Sequence, residues 1–172
     1  MSRTRGGIEV REAHPDEYEE IGTLTAAAYQ GYPEAGEDPD YMAQLRDVAA
    51  RAAVRPVLVA VDNEGRVMGS VVYVGGPGPF AETQGENEAS FRMLAVADWA
   101  RGRGAGEALT RVCIDRARAG GRSALVLLTL PAMTAAHRLY EKLGFRRAPE
   151  RDWEFEPGRQ LLGYEHDLSP RS

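Results

Sequence analysis

Cysteine, lysine and histidine are all scarce in this chain. A single cysteine among 172 residues, Cys113, excludes an internal disulfide framework and a cysteine-based metal cluster. Three histidines, His14, His137 and His166, are too few and too scattered to suggest a metal site. Long apolar runs are missing too: nothing approaches the roughly 20 residues that span a bilayer. The opening Met1–Gly7 has no apolar segment behind it, so no signal peptide is read there. Lys142 is the one lysine among 21 basic residues, a skew from which no function is drawn. These absences predict a cytoplasmic protein without a metal, and the length predicts one domain over residues 1–172.

The net charge of −5 argues against general nucleic-acid binding. Its distribution is uneven. Residues 1–90 carry seven arginines against 16 carboxylates, whereas residues 91–172 carry 14 basic residues against ten. Partners of opposite sign, or plain solvated surface, both fit this asymmetry.

Ile8 and Val10 alternate with Glu9 and Arg11, which predicts a strand over 7–13. Pro15-Asp16-Glu17 reads as the start of a helix running to Tyr29, and a second helix is expected from Pro39 to Val54. Val57–Val61 and Val67–Val74 are β-branched runs around the turn 62–66, a hairpin. A polar loop over 75–89 holds Glu82, Glu86 and Glu88; a loop this long is usually functional or mobile. A strand over 89–96, a helix from about 105 to 119, an apolar strand over 124–130 and a helix over 134–143 follow. Gly144 and Phe145 read as the end cap of that last helix. Two strands around the turn 156–159 complete the chain. The crossover helix implies one parallel pair in a largely antiparallel sheet.

The chemistry concentrates in residues 93–118, a strand, a glycine loop and a helix. Glycines let backbone N–H groups approach a ligand, and the first helical turn has unpaired donors and partial positive charge. Arg101 and Arg103 add charged donors. Such a turn suits a pyrophosphate, or it is a tight turn and nothing more. The spacing is Gly-x-Gly-x-Gly with no acid ending the next strand, which speaks against a dinucleotide fold. No Lys-Ser/Thr follows, which excludes a Walker loop.

Leu94-Ala95-Val96 followed by Arg101-Gly102-Arg103-Gly104-Ala105-Gly106 resembles the acetyl-CoA motif of the GNAT acyltransferase superfamily. The stretch from Ala136 to Phe145, with Tyr140 four residues before Gly144-Phe145, resembles the family's second signature. The resemblance covers nearly the whole chain. It implies an α+β GNAT fold: a mixed, mostly antiparallel sheet with a splayed central parallel pair and helices on both faces. It implies that Leu94 and Val96 pair through their backbones with pantetheine amides, that the Arg101–Gly106 backbone holds the pyrophosphate, and that acetyl-CoA is the cosubstrate. Tyr140 matches the tyrosine near the cofactor sulfur, where a phenol protonates or hydrogen-bonds the leaving thiolate; the alternative is a core tyrosine.

The family's strand glutamate is replaced by Ser90, and Glu88 lies two residues earlier. Glu88 either draws a proton from the acceptor through water or is a solvated loop carboxylate. Met133 stands where relatives often place asparagine, and it cannot repeat that hydrogen bond. The resemblance implies acetyl transfer to a primary amine by direct transfer in a ternary complex, with a small cationic amine suited to the acidic half. A protein N-terminal or lysine acetyltransferase and a non-catalytic acyl-CoA-binding module are the alternatives. No nucleic-acid or membrane partner is expected, and C-terminal hairpins of this superfamily often pair into homodimers.

Overall fold

The computed structural model describes residues 3–170. They form two compact units, and neither is a continuous stretch of chain. One comprises residues up to Tyr73 together with Met93–Val112; the other comprises Val74–Arg92 and the residues from Cys113 onward. No helix among the described residues is long and apolar enough to cross a membrane.

In the first unit the expected opening strand is β2 (Ile8–Glu12), and it has a partner that periodicity did not reveal. That partner, β1 (Arg3–Arg5), is fully exposed and pairs antiparallel with β2 across Gly6-Gly7, both glycines at positive φ. Helix α1 (Tyr18–Gln30) follows a short 3-10 turn at Pro15–Glu17. Glu17 fastens that turn: its carboxylate accepts the His14 N–H at 2.8 Å and a two-pronged pair from Arg11 at 2.8 and 2.9 Å.

The single helix expected over 39–54 is broken in two. After the short turn α2 (Pro33–Gly36) come α3 (Pro39–Arg46) and α4 (Val48–Ala52). The break is at Asp47, which leaves helical geometry at ψ 72° and accepts the Ala50 N–H at 3.1 Å, capping α4. Arg51, 1 % exposed, donates to the carbonyls of Gln44 and Leu45 at 3.0 and 2.9 Å, so one buried guanidinium satisfies the end of α3. Strands β3 (Val57–Val61) and β4 (Val67–Val74) have the expected bounds, and every residue in both is buried. The Asp62 carboxylate closes their turn by accepting the N–H groups of Glu64 and Arg66, both at 2.9 Å.

Strand β5 (Glu88–Val96) and helix α5 (Ala105–Ala119) each contribute to both units. In the first unit the end of β5 lies close against β4: the Ala97 N–H reaches the Met68 carbonyl at 2.8 Å. A Cβ on Gly69 would stand 2.6 Å from the Ala95 carbonyl oxygen, so this crossing requires glycine.

In the second unit β5 pairs parallel with β6 (Ala124–Thr129), from Glu88↔Ala124 to Ser90↔Val126, and the ladder ends there. Strand β6 pairs on its other side, antiparallel, with β9 (Arg159–Asp167) along its full length. Strands β7 (Arg146–Arg147) and β8 (Trp153–Glu156) also pair with β9. Helix α6 (Thr134–Lys142) ends as expected, with Gly144 at φ 96° and the Phe145 N–H returning to the Tyr140 carbonyl at 2.9 Å. A mixed sheet with one parallel pair makes the fold α+β.

Gly69→Ala is expected to destabilise the protein by about 1–3 kcal/mol through overpacking against backbone. Thermal unfolding reads this as a Tm lowered by roughly 2–4 °C per kcal/mol. An unchanged Tm would mean that the Ala95 carbonyl yields freely.

Candidate active site

Between β5 and α5 the chain makes a 3-10 turn at Asp98–Ala100 and then the glycine loop. Gly102 and Gly104 have φ of 74° and 94°, and nothing lies within 4 Å of a Cβ built on Gly102. That glycine therefore serves the backbone conformation rather than packing; a side chain in this region costs about 1–2 kcal/mol. The first main-chain bond of α5 runs from the Ala108 N–H to the Gly104 carbonyl at 3.0 Å. The N–H groups of Ala105 and Gly106 belong to the first helical turn, which has no main-chain acceptor inside the helix. A 15-residue helix adds its positive end at the same place. Loop and helix start thus share the features of a helix terminus at which anions bind: glycine backbone, first-turn donors and the positive dipole end.

The arginines sit at the rim of this loop. Arg101 is 3.2 Å from Asp98, and the Arg103 guanidinium lies 5.4 Å from the Trp99 ring centre, a ring that Arg66 also covers at 4.4 Å. On the strand, Leu94 and Val96 are half-buried and Ala95 is buried. The Tyr29 hydroxyl donates to the Leu94 carbonyl at a long 3.4 Å. A cavity of about 650 Å³ adjoins Val96; its lining includes Asp16, Glu19, Glu20 and Asp98, charges of the wrong sign for a phosphate.

Tyr140 lies in the second unit at the end of α6. Its ring is 5 % exposed and packs edge-on against Phe91 (centroids 5.9 Å apart) and obliquely against Phe145 and Tyr164 (5.6 and 5.9 Å). Burial pushes its phenol well above the usual range, and Cys113 and Tyr164 add to that. The proton therefore stays on the oxygen at every physiological pH. Among the described residues that hydroxyl has no hydrogen-bond partner. The ring itself is a packed core group.

The Glu88 carboxylate is held by three donors. Arg151 grips its carboxylate at 2.9 and 2.5 Å, and the Gly85 N–H adds a third bond at 2.7 Å. Burial alone would raise this carboxyl; the Arg151 and Gly85 donors overcome it and hold it below the usual range. A carboxylate so satisfied is a poor proton acceptor. Arg151 also donates through Nε to Glu165 at 2.7 Å, and Arg146 bridges Glu165 and Glu150 at 3.2 and 2.8 Å. A relay of alternating charge results.

Ser90 is buried at 8 % exposure. The Met133 sulfur lies 3.9 Å from the Thr129 hydroxyl. His137 Nε2 is within 3.1 Å of the Leu130 carbonyl, and its ring stacks on Tyr164. Burial raises the Cys113 thiol to about 12, so it remains an inert core group. His14, Asp16 and Glu17 have metal-donor spacing, but Arg11 already occupies the Glu17 carboxylate. Sequence reasoning passed over Arg92. Its signal was a charged residue inside an otherwise buried strand: Arg92 ion-pairs with Glu82 at 3.1 Å and lies 5.6 Å from the Phe80 ring centre.

Residues 9–145 match the family model described as Acetyltransferase (GNAT) family. The chain belongs to this family. A GCN5-related N-acetyltransferase from Kribbella flavida is 30 % identical and superposes with a TM-score of 0.70, over 94 % of this chain and 98 % of that one. N-acetylaspartate synthetase of Danio rerio is 41 % identical over 73 residues, 42 % of this chain and 26 % of that protein. L-methionine sulfoximine/L-methionine sulfone acetyltransferase of Pseudomonas aeruginosa is 38 % identical over 90 residues, 52 % of this chain and 50 % of that protein. The chain thus spans about a quarter to a half of the length of these curated relatives. In this GNAT chain the glycine loop and Tyr140 both fall within the matched residues.

Glu88→Gln is expected to cost about 1–3 kcal/mol at neutral pH, because Arg151 loses a charged partner. The folded carboxyl binds its proton at lower pH than the unfolded one, so this contribution is present above about pH 4 and fades as pH falls further. Urea unfolding of wild type and variant at pH 7 and pH 3 checks it: the two curves should separate at pH 7 and approach each other at pH 3.

Proposed function

We propose that the protein transfers an acetyl group from acetyl-CoA to the nitrogen of a small primary amine, directly and within a ternary complex. The observation that carries this reading is the glycine loop, whose open main-chain donors lead into α5 straight after β5. These residues fit the cosubstrate. Within Arg101–Gly106 the N–H groups of Gly102, Gly104, Ala105 and Gly106 would hold its pyrophosphate, since those of Arg101 and Arg103 already donate to the Asp98 and Ala100 carbonyls, both at 3.3 Å; the Arg101 and Arg103 side chains would screen charge at the rim. Leu94, Ala95 and Val96 would present main-chain groups to the pantetheine amides, as a sheet edge accepts an added strand. When bound, acetyl-CoA supplies a thioester whose carbon–sulfur bond breaks.

Tyr140 donates its hydrogen to the departing sulfur. Its raised pKa makes it a weak acid in isolation, but the donor is always charged with its proton and needs to share it only as thiolate develops. The acceptor nitrogen arrives as an ammonium and must lose a proton before it attacks. The printed names of two relatives, an N-acetylaspartate synthetase and a methionine sulfoximine acetyltransferase, support a small amino compound as acceptor. The acidic balance of the first 90 residues supports the attraction of a positively charged nitrogen. A second reading, a module that binds acyl-CoA without turnover, draws support from Ser90, which cannot serve as a carboxylate base.

Thiol release from acetyl-CoA with a panel of amines tests the proposal. Turnover is expected, with kcat lowered about 10²-fold in Tyr140→Phe and Tm nearly unchanged, since the hydroxyl supports no bond in the fold. Gly104→Val should abolish the rise in Tm that acetyl-CoA produces in the wild type. A Tm rise without any thiol release would favour the binding module; no Tm rise in the wild type would sink both readings.

A further inference from the structure

We infer that Arg92, Glu82 and Phe80 form the acceptor-recognition site and that they are built for a zwitterionic α-amino acid: Arg92 takes its carboxylate, and Glu82 takes its ammonium and then a proton from it. This rests on the acetyl-transfer reading and assigns its acceptor.

The loop after β4 is fastened at several points. The Gln84 amide donates to the Val74 and Glu88 carbonyls at 3.4 and 2.8 Å. Arg122 donates to the Glu86 carbonyl at 3.3 Å, and the Ser123 N–H reaches the Asn87 carbonyl at 2.9 Å. Phe80 in this loop has φ 64°, a left-handed conformation that is costly for a bulky residue, and its ring lies 5.6 Å from the Arg92 guanidinium. Such strain is retained where something holds the residue in place.

Arg92 occupies a distinctive position. Phe91, its neighbour on the strand, packs against Tyr140, so alternation sends the Arg92 side chain to the other face of β5. Leu94 is two residues further on. The Arg92 side chain is 18 % exposed, and among the described residues its one ion pair is through Nε to Glu82 at 3.1 Å. Its terminal nitrogens have no hydrogen-bond partner among the described residues. A guanidinium with that fork open matches a carboxylate in two-pronged fashion, which an ammonium cannot do.

Glu82 differs from Glu88 in its surroundings. Its side chain is 22 % exposed, and its one charged neighbour among the described residues is Arg92. Burial raises its carboxyl above the usual range, and the Arg92 charge only partly offsets this. A carboxylate so placed accepts protons more readily than a surface glutamate.

The protons balance. The ammonium loses one proton to Glu82, and the freed amine forms its bond to the acetyl carbon as the carbon–sulfur bond breaks. The nitrogen then sheds a second proton, which replaces the one Tyr140 gives to sulfur, and Glu82 returns its proton to solvent.

The test compares α-amino acids with their own carboxamides and decarboxylated amines in the thiol-release assay. In wild type, kcat/KM should favour the acids by about 10²-fold. Arg92→Gln should shrink that preference below about threefold, mainly through KM for the acid, and Arg92→Lys should restore part of it. Glu82→Gln should lower kcat and remove the acidic limb of the kcat/KM–pH profile, a change that an ion pair of purely structural use would not produce. Equal or better use of the amides or amines by wild type overturns the assignment, as does a preference that survives in Arg92→Gln. If acetyl-CoA raises Tm but no compound releases thiol, this acceptor site is refuted while cosubstrate binding stands; if Tm does not move, the reading beneath it has failed.

Discussion

Strand β5 must serve two ladders with one run of nine residues, and the rest of the candidate site follows from how it does so. Glu88–Ser90 pair with β6, whereas the end of the strand lies against the bare backbone of Gly69. Between the two, Met93 steps into the left-handed region at φ 57°. Phe91 and Arg92 lie just before that step, past the last parallel pair. One delivers an aromatic edge to Tyr140 and the other a guanidinium to Glu82 and Phe80. Two adjacent residues of one strand thus engage the Tyr140 ring and the Glu82 carboxylate.

Two glutamates six residues apart illustrate how surroundings assign roles to identical side chains. Glu88 is buried but saturated with donors, and its proton affinity falls. Glu82 is buried with one cation beside it, and its proton affinity rises. Tyr140 completes the contrast: an acid in chemical type, held firmly protonated by its burial.

The sequence made much of the frame legible. The hairpin around Asp62, the glycine loop and the Tyr140–Phe145 helix end are local patterns, each settled by residues within a few positions of one another, and they stand where the patterns put them. The glycine loop and the tyrosine could also be singled out, because local motifs carry the family resemblance that points to them. What escaped was non-local or went against periodicity. The polar edge strand Arg3–Arg5 has no apolar face to betray it. The break at Asp47 depends on a side chain turning back to cap the next helix, although Tyr41, Leu45, Val48 and Ala52 keep one helical phase across it. The fate of Glu88 depends on Arg151, 63 residues away, a partner no window could reveal. Arg92 was masked by the apolar residues around it.

The relay from Glu88 through Arg151 and Glu165 to Arg146 gives the start of β5 an unusual temperament. Apolar fastening would be indifferent to salt. A chain of partly exposed charges loosens as ions screen it, yet loses less as water warms, because hydration of separated charges becomes less favourable with temperature. Brine and heat should therefore act on this corner of the molecule in opposite senses: concentrated salt softens it, while warmth leaves it among the last parts to give way.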